Sequence, residues 1–343
     1  MQEDAVAKLG DIFQLGQNRL GCGDARDQDF VSNVLNGVVA DVCFVDMPYN
    51  LAIGGFVSGK GHHQHREFVQ GAGELSDQEY FALISDCLLV LKNSSTPKAL
   101  IYSFIDWRHI LEMTAAGRSA GLPLINIVVW AKTNPGMGSL YRSQHELICV
   151  FKAGLEPHRN NIELGRFGRN RSNLWTYAGM SSFGKDRDQL LGSHPTVKPV
   201  PLISDALRDV TKRGDVVLDT FCGSGTTIIA AEETGRRCRA VELDPRYVDV
   251  AIRRWQEMTC RDAVHVATGK SFDDYAARNL APHGRQTVTD NPDDDDQVGF
   301  GHPLSATGFS PVKAATQKAG NPKANRRRLN RQFRPSRPTL WRS

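Results

Sequence analysis

The sequence predicts an α/β protein built on a doubly wound, mostly parallel sheet. Three observations predict it. From about residue 20 to residue 151, apolar runs of strand length alternate with helical patterns, the signature of parallel strands joined by crossover helices. A second unit, Asp215 to Thr259, carries Gly223 and Gly225 in its first turn and an acid, Glu242, at the end of its second strand, as nucleotide-binding β-α-β units do. The apolar run Val42-Cys43-Phe44-Val45 releases Asp46-Met47-Pro48-Tyr49 at its carboxyl end, where ligands bind in open α/β sheets.

The elements follow in order. Leu20 to Asp24 reads as a short strand ending in a Gly-Asp turn, Asp27 to Leu35 as a helix, and Val38 to Val45 as the strand that feeds Asp46. Residues 54–74 form a polar run punctuated by glycines, placed where a closing lid would sit. Ser76 to Leu91 is an amphipathic helix whose Ser76 and Glu79 match a capping box. Ala99 to Phe104 is a strand and Trp107 to Ala120 a helix ended by Gly121; Ile125 to Trp130 and Glu146 to Phe151 are two further strands. Residues 153–193 break the pattern: Arg159, Arg166, Arg169, Arg171, Lys185 and Arg187 interleave with Phe167, Trp175, Tyr177 and Phe183, a composition suited to nucleic-acid contact or to a loop with anchoring aromatics. Order returns with Val200 to Thr211 as a helix, Asp215 to Asp219 as a strand, Ile228 to Thr234 as a helix, Arg239 to Leu243 as a strand and Asp249 to Thr259 as a helix.

Composition narrows the class. At 343 residues, 40% apolar and 23% charged, the chain is an ordinary globular protein of one large domain with an extension. It opens without a leader-like basic and apolar start and holds no run near the roughly 18 apolar residues of a membrane span; a cytoplasmic protein with no membrane partner is expected. Seven cysteines without a C-x-x-C pair fit buried free thiols in a reducing compartment. The net charge of +4 is uneven: residues 297–343 carry ten Lys or Arg and no acid, which leaves −6 for residues 1–296. That tail, with the Pro, Gly and Asn around it, reads as disordered from about residue 281 and as a candidate for sequence-independent contact with DNA backbone. His62, His63, His65 and Glu67 fit no standard zinc spacing, so no metal is expected.

The chemistry lies in the motifs. After a buried strand, the Asp46 carboxylate and the Met47 carbonyl can each accept a hydrogen from an amine, and the Tyr49 ring can stack on a flat base. The glycine turn lacks both the lysine of a phosphate loop and the third glycine of G-x-G-x-x-G, where Ile228 stands; this favours a ligand with an adenosine and no pyrophosphate.

With both halves in view, the chain resembles the β-group amino-methyltransferases that modify DNA with S-adenosylmethionine, over roughly residues 18–260. The carriers are Asp46-Met47-Pro48-Tyr49 for the family's D-P-P-Y motif, His194-Pro195-Thr196-Val197-Lys198-Pro199, and Asp219-Thr220-Phe221-Cys222-Gly223-Ser224-Gly225-Thr226-Thr227. Their order, catalytic motif first and cofactor glycines last, is that of the group. The resemblance implies a Rossmann-like methyltransferase fold with a seven-stranded-type sheet over residues 1–280. Within it, 18–152 is the catalytic half, about 153–193 an inserted target-recognition region and 194–260 the cofactor half; 281–343 is the basic tail.

It also implies roles. Asp46 and the Met47 carbonyl accept the two hydrogens of the target amine, Pro48 fixes the turn and Tyr49 stacks on the extruded base. Phe221, Gly223 and Gly225 shape the wall around the methionine and ribose, in one motif with Asp219, Thr226 and Thr227. Glu242 binds the ribose hydroxyls, Thr196 and Lys198 meet the methionine carboxylate, Asp24 lies near the adenine and Asn50 lines the same pocket. Trp130 is either a core residue or a lining of the base pocket. Asp rather than Ser at position 46 favours adenine N6 over cytosine N4, and the lack of a Pro-Cys pair disfavours cytosine C5. The implied partner is double-stranded DNA. Dimerisation is common in the family, and a restriction endonuclease partner is left open. Met47 stands where the family usually has proline; Pro48 still biases it toward extended backbone. Two readings from different classes follow: an active enzyme, or an impaired DNA-binding relative.

Overall fold

Strand β3 (Ala40–Val45) is apolar on both sides. Val42 and Phe44 enter one core and Cys43 and Val45 the other, all four buried, as alternation along a strand sandwiched between helices requires. In this computed structural model the described residues are 5–51, 71–136, 140–179 and 198–279, all within one compact unit, Met1–Arg285. The glycine-punctuated run up to residue 70, the four histidine-cluster residues, Phe183, Lys185, Arg187, His194 to Val197 and the basic tail lie outside them.

In chain order, β1 (Ile12–Leu15), β2 (Asn18–Cys22) and α1 (Gln28–Leu35) precede β3. Then come α2 (Asp77–Asn93), β4 (Ser95–Ile105), α3 (Ile110–Ser119), β5 (Leu124–Lys132), β6 (His145–Lys152) and β7 (Leu174–Tyr177). The last third holds α4 (Val200–Val210), β8 (Val216–Asp219), α5 (Thr226–Thr234), β9 (Arg237–Glu242), α6 (Pro245–Thr259), β10 (Val264–His265) and α7 (Phe272–Asn279). The strands form one sheet in the order β10-β1-β2-β9-β8-β3-β4-β6-β5-β7. Buried side chains of α1, α2 and α3 share one core with one face of the sheet, and those of α4, α5 and α6 share the other, which makes the fold doubly wound.

Local chemistry sets the boundaries. Asp27 caps α1 by accepting from the Phe30 amide, and the capping box of α2 is complete: the Ser76 hydroxyl accepts from the Glu79 amide and the Glu79 carboxylate accepts from the Ser76 amide. Pro245 opens α6 behind an Asp244 cap.

The sheet departs from the sequence reading at its flanks. The run 146–151 is not another parallel strand. β6 pairs antiparallel with both β4 and β5; only twelve residues join β5 to β6, and the described ones among them carry no crossover helix. β6 therefore begins at the edge of the sheet where β3, β4 and β5 end. Residues 153–193 are not patternless throughout: Leu174–Tyr177 adds β7 in parallel to β5. β1, β10 and α7, which no sequence signal marks, close the opposite flank.

All seven cysteines are free, and six are buried, Cys260 alone being exposed. Burial pushes the Cys22, Cys43, Cys87 and Cys149 thiols up to about 12. Among the described residues no helix is long and apolar enough to cross a membrane.

Candidate active site

The two sequence motifs meet in one cleft. β3 and β8 are parallel neighbours, so the turn after Val45 and the turn after Asp219 leave the sheet side by side. Asp46, Met47, Pro48 and Tyr49 line the cleft on one side; Asp219, Phe221, Gly223, Thr226, Thr227 and Glu242 line it on the other, with Asp24 and Lys198 also on the wall. The cleft encloses about 1350 Å³, open water at its mouth included.

Around Asp46 every polar contact is specific. Its two oxygens are both occupied, Oδ1 by the Tyr49 hydroxyl at 2.8 Å and Oδ2 by Lys198 Nζ at 2.5 Å. A second carboxylate, Glu146 at the start of β6, stands behind them. Its Oε2 lies 3.0 Å from the Tyr49 hydroxyl and 3.3 Å from Lys198 Nζ, and its Oε1 accepts from Lys132 Nζ at 2.5 Å. The Lys198 ammonium also sits over the Phe104 ring at 4.9 Å. Two carboxylates and two ammoniums thus form a neutral cluster that is mostly withdrawn from water.

Their protonation follows. Burial raises the Asp46 pKa against the pull of Lys198, and the nearby Glu146 charge adds to the rise. Burial works against the charge of Glu146 too, but Lys198 and Lys132 outweigh it and bring that carboxyl down to about 2. Burial likewise disfavours the Lys198 charge, yet Asp46 and Glu146 raise its pKa overall.

The backbone of the turn is fixed from below. The Tyr80 hydroxyl donates to the Pro48 carbonyl at 2.9 Å, while no described group donates to the Met47 carbonyl. The Met47 side chain is 2% exposed and packs in the core with Tyr80 and Leu83, so methionine fills space there that the turn itself does not need. Gly71, at φ +71°, returns the chain against Pro48; a Cβ there would lie 2.6 Å from Pro48 Cβ. Asn50 does not line the cleft. Its amide bonds to the Gly73 and Leu75 amides and to the Leu75 carbonyl, tying the turn to that returning segment.

On the far side, Glu242 ends β9 with its oxygens accepting from the Gly223 and Asp244 amides at 2.7 and 2.9 Å, and among the described residues no cation pairs with it. Burial pushes it up to about 7, against the pull of those amides. Asp219 accepts from the Phe221 amide at 3.0 Å and is also pushed up to about 7 by burial. Gly225 stands at the start of α5 at φ +84°; a Cβ there would meet Ala251 of α6 at 2.9 Å. Its hydrogen serves helix packing, and it is not on the cleft wall. Asp24 bonds Arg26 at 2.6 Å. Thr196 lies outside the described residues.

Several expected contacts go elsewhere. Trp130 is 2% exposed, stands edge-on to Phe104 and donates to the Tyr177 carbonyl, so it is a core residue. In the Arg-rich region, Arg171 pairs with Asp209 at 2.5 Å and lies over Trp175, which is buried, while the Tyr177 hydroxyl donates to Asp205. These three anchor β7 to α4. Among the described residues no group of His, Cys, Asp or Glu is arranged to hold a metal ion.

Glu146 and Lys132 are site residues that sequence reasoning misses. The available signal is a lone acid at the mouth of an otherwise apolar strand; what brings it to the Asp46 cluster is the register that sets Glu146 opposite Trp130, near Lys132.

The DNA methylase family N6_N4_Mtase matches residues 40–253. The Type II methyltransferase M2.DpnII of Streptococcus pneumoniae is 27% identical over 222 residues, 62% of this chain and 81% of the relative. M2.MboI of Moraxella bovis is 26% identical over 248 residues, 67% and 85% of the two chains. In fold the chain resembles the cytosine-N4-specific PvuII DNA methyltransferase, with a TM-score of 0.55 at 16% identity, over 81% of this chain and 96% of that one. It also resembles M1.HpyAVI in its SAM complex, with a TM-score of 0.50 at 19% identity, over 68% and 97%. The chain therefore belongs to the N6/N4 family of DNA methyltransferases.

Proposed function

We propose that the protein transfers a methyl group from S-adenosylmethionine to the N6 amine of an adenine flipped out of double-stranded DNA at a specific site. The observation that carries the reading is Asp46 and Met47 at the end of β3, lining one cleft with Glu242 and Phe221, with no described group donating to the Met47 carbonyl.

The residues present fit the cofactor. Glu242 is a half-buried carboxylate without a described cation beside it, placed to accept from ribose hydroxyls, and Phe221 and Tyr247 give the cleft aromatic walls. Lys198, and Thr196 outside the described residues, would hold the methionine carboxylate; the contact of Lys198 with Asp46 places that ammonium between the two halves of the cleft. When bound, the cofactor supplies a methyl group activated by its sulfonium. Asp46 and the Met47 carbonyl accept the two hydrogens of the target amine, which turns the nitrogen lone pair out of conjugation with the ring. This is catalysis by positioning and electrostatics, with no covalent bond to the enzyme. Tyr49 stacks on the flipped base, a contact of about 1–3 kcal/mol by analogy with single-strand binding.

Aspartate at position 46 supports adenine. The fold likeness to a cytosine-N4-specific enzyme keeps cytosine N4 as the second reading. The test is single-molecule sequencing of genomic DNA from cells expressing the protein or its Asp46→Ala variant. Methyladenine in one short motif, absent with the variant, is expected; methylcytosine there would transfer the assignment to N4. No modification in either sample would refute the active-enzyme reading.

A further inference from the structure

We propose that Glu146 is a positioning residue for methyl transfer: it shares the two donors that hold Asp46, so that Asp46 keeps the charge with which it accepts the target amine. The proposal rests on the reading of Asp46 as the amine acceptor and extends it.

Both Asp46 oxygens are engaged, one by the Tyr49 hydroxyl and one by Lys198. A carboxylate has about four lone-pair sites, so these two donors leave room for an amine hydrogen, but they draw on the same charge, and Asp46 is the stronger acceptor when they are held elsewhere. Each of the two donors already has a second acceptor within reach, and it is the same atom. Glu146 Oε2 stands 3.0 Å from the Tyr49 hydroxyl and 3.3 Å from Lys198 Nζ. The phenol has one proton, so it serves either carboxylate by rotation about its C–O bond and without moving the ring. The ammonium has three protons and bridges both. A shift of these two donors toward Glu146 frees Asp46 at modest cost, because the phenol exchanges one carboxylate for another and the ammonium shortens a contact it already makes.

Lys132 makes the second carboxylate tolerable. Placing two carboxylates around one ammonium in a half-buried site is unfavourable. Lys132 Nζ on Glu146 Oε1 at 2.5 Å restores neutrality and occupies the oxygen that faces away from Asp46. Oε2 is left to receive the two donors. The groups facing Asp46 are Tyr49 from its own turn, Lys198 from the segment before α4 and Glu146 from β6, with Asp219 and Tyr80 farther off.

Glu146→Gln keeps the shape and removes the charge. Lys198 then has Asp46 as its only carboxylate partner within the protein, and with Lys132 competing for the one amide oxygen Tyr49 is left at most a neutral, weaker alternative acceptor. The expected result is a fall in kcat of about 100-fold, with the KM for DNA and the cofactor affinity within about threefold. Glu146 also raises the Asp46 pKa, so its removal moves the acid limb of the kcat profile to lower pH. Tyr49→Phe retains the ring and deletes one of the two donors, so Glu146→Gln should slow the Tyr49→Phe enzyme less than it slows the wild type. A merely structural Glu146 predicts no such difference.

A binding measurement complements the kinetics: the affinity ratio for duplexes whose target base carries or lacks its exocyclic amine, with S-adenosylhomocysteine present. The wild type should prefer the amine and Glu146→Gln should not. If Glu146→Gln folds poorly, Lys132→Met/Glu146→Gln restores the charge balance and takes its place. A Glu146→Gln enzyme as fast as the wild type, equal slowing in both Tyr49 backgrounds, or a wild type without preference for the amine would each overturn the proposal. Wild-type turnover in the same assay keeps the Asp46 reading intact in the first two cases, and a wild type that binds DNA and transfers nothing overturns that reading itself.

Discussion

Glu242→Gln should make the unliganded protein more stable at alkaline pH while impairing its proposed cofactor site. Glu242 is pushed from 4.5 to about 7 by burial, and no described cation offsets it. Its folded-state pKa is raised, so its contribution to stability is full below about pH 4.5 and is lost as the pH rises through about 7. That interval is worth on the order of 3 kcal/mol at about 1.36 kcal/mol per pH unit, and water at the cleft mouth reduces it to about 2 kcal/mol. Glutamine carries no charge and escapes this loss. It can accept from only one of the Gly223 and Asp244 amides, which costs about 1 kcal/mol at every pH. The variant should therefore be about 1 kcal/mol less stable than the wild type at pH 5 and about 1 kcal/mol more stable at pH 8. Asp219 titrates in the same range; the Glu242 charge is the last of the causes that raise it, so the substitution also eases that rise and adds slightly to the gain at high pH. The assay is urea denaturation of the two unliganded proteins across pH 5 to 8, with calorimetric titration of S-adenosylmethionine alongside. A stability difference that stays constant with pH would refute the reasoning.

Two further outcomes are expected. Gly225→Ala forces an L residue into a left-handed conformation at φ +84° and drives its Cβ against Ala251; about 2–4 kcal/mol of stability should be lost, read by chemical denaturation, with cofactor affinity falling as α5 and α6 part. Deleting residues 297–343 removes ten cationic side chains. It should weaken DNA binding, flatten the dependence of log K on log salt by about 0.9 for each phosphate the tail no longer neutralises and leave base preference unchanged; an equal slope in full-length and truncated protein would rule out the electrostatic role.

Much of the fold is legible in sequence because it rests on local patterns. The run Val42 to Val45, apolar on both faces, announces a central strand, and the acid and proline behind it announce a turn at the ligand-binding edge. Gly223 and Glu242 announce a second such edge. What the sequence does not show is which edges touch. Glu146 is one carboxylate at the head of a strand, and its pairing with Lys132, Lys198 and Tyr49 arises from an antiparallel register that no local pattern encodes. β7 has no local signature because it is four residues long and lies in an arginine-rich stretch, where Trp175 and Arg171 resemble surface groups until their stacking and the Asp209 ion pair make them anchors. Gly225 reads as a cofactor glycine because its neighbour Gly223 is on the cleft wall. Its own neighbour in space, Ala251, lies 26 residues away in sequence.

The pairing of β3 with β8 also bears on the timing of synthesis. Cys43 lies opposite Leu218, so one edge of the strand that carries Asp46 waits for a partner about 170 residues downstream. At about 5–20 residues per second on the ribosome, that edge stays unpaired for roughly 10–30 s after the catalytic turn has been made. Until then the cleft has one wall, and the nascent chain offers an apolar strand edge to chaperones or to other chains. A product that stops before residue 219 lacks the half that carries Asp219 and Glu242, so the second wall of the cleft arises only after about two thirds of the chain has been made.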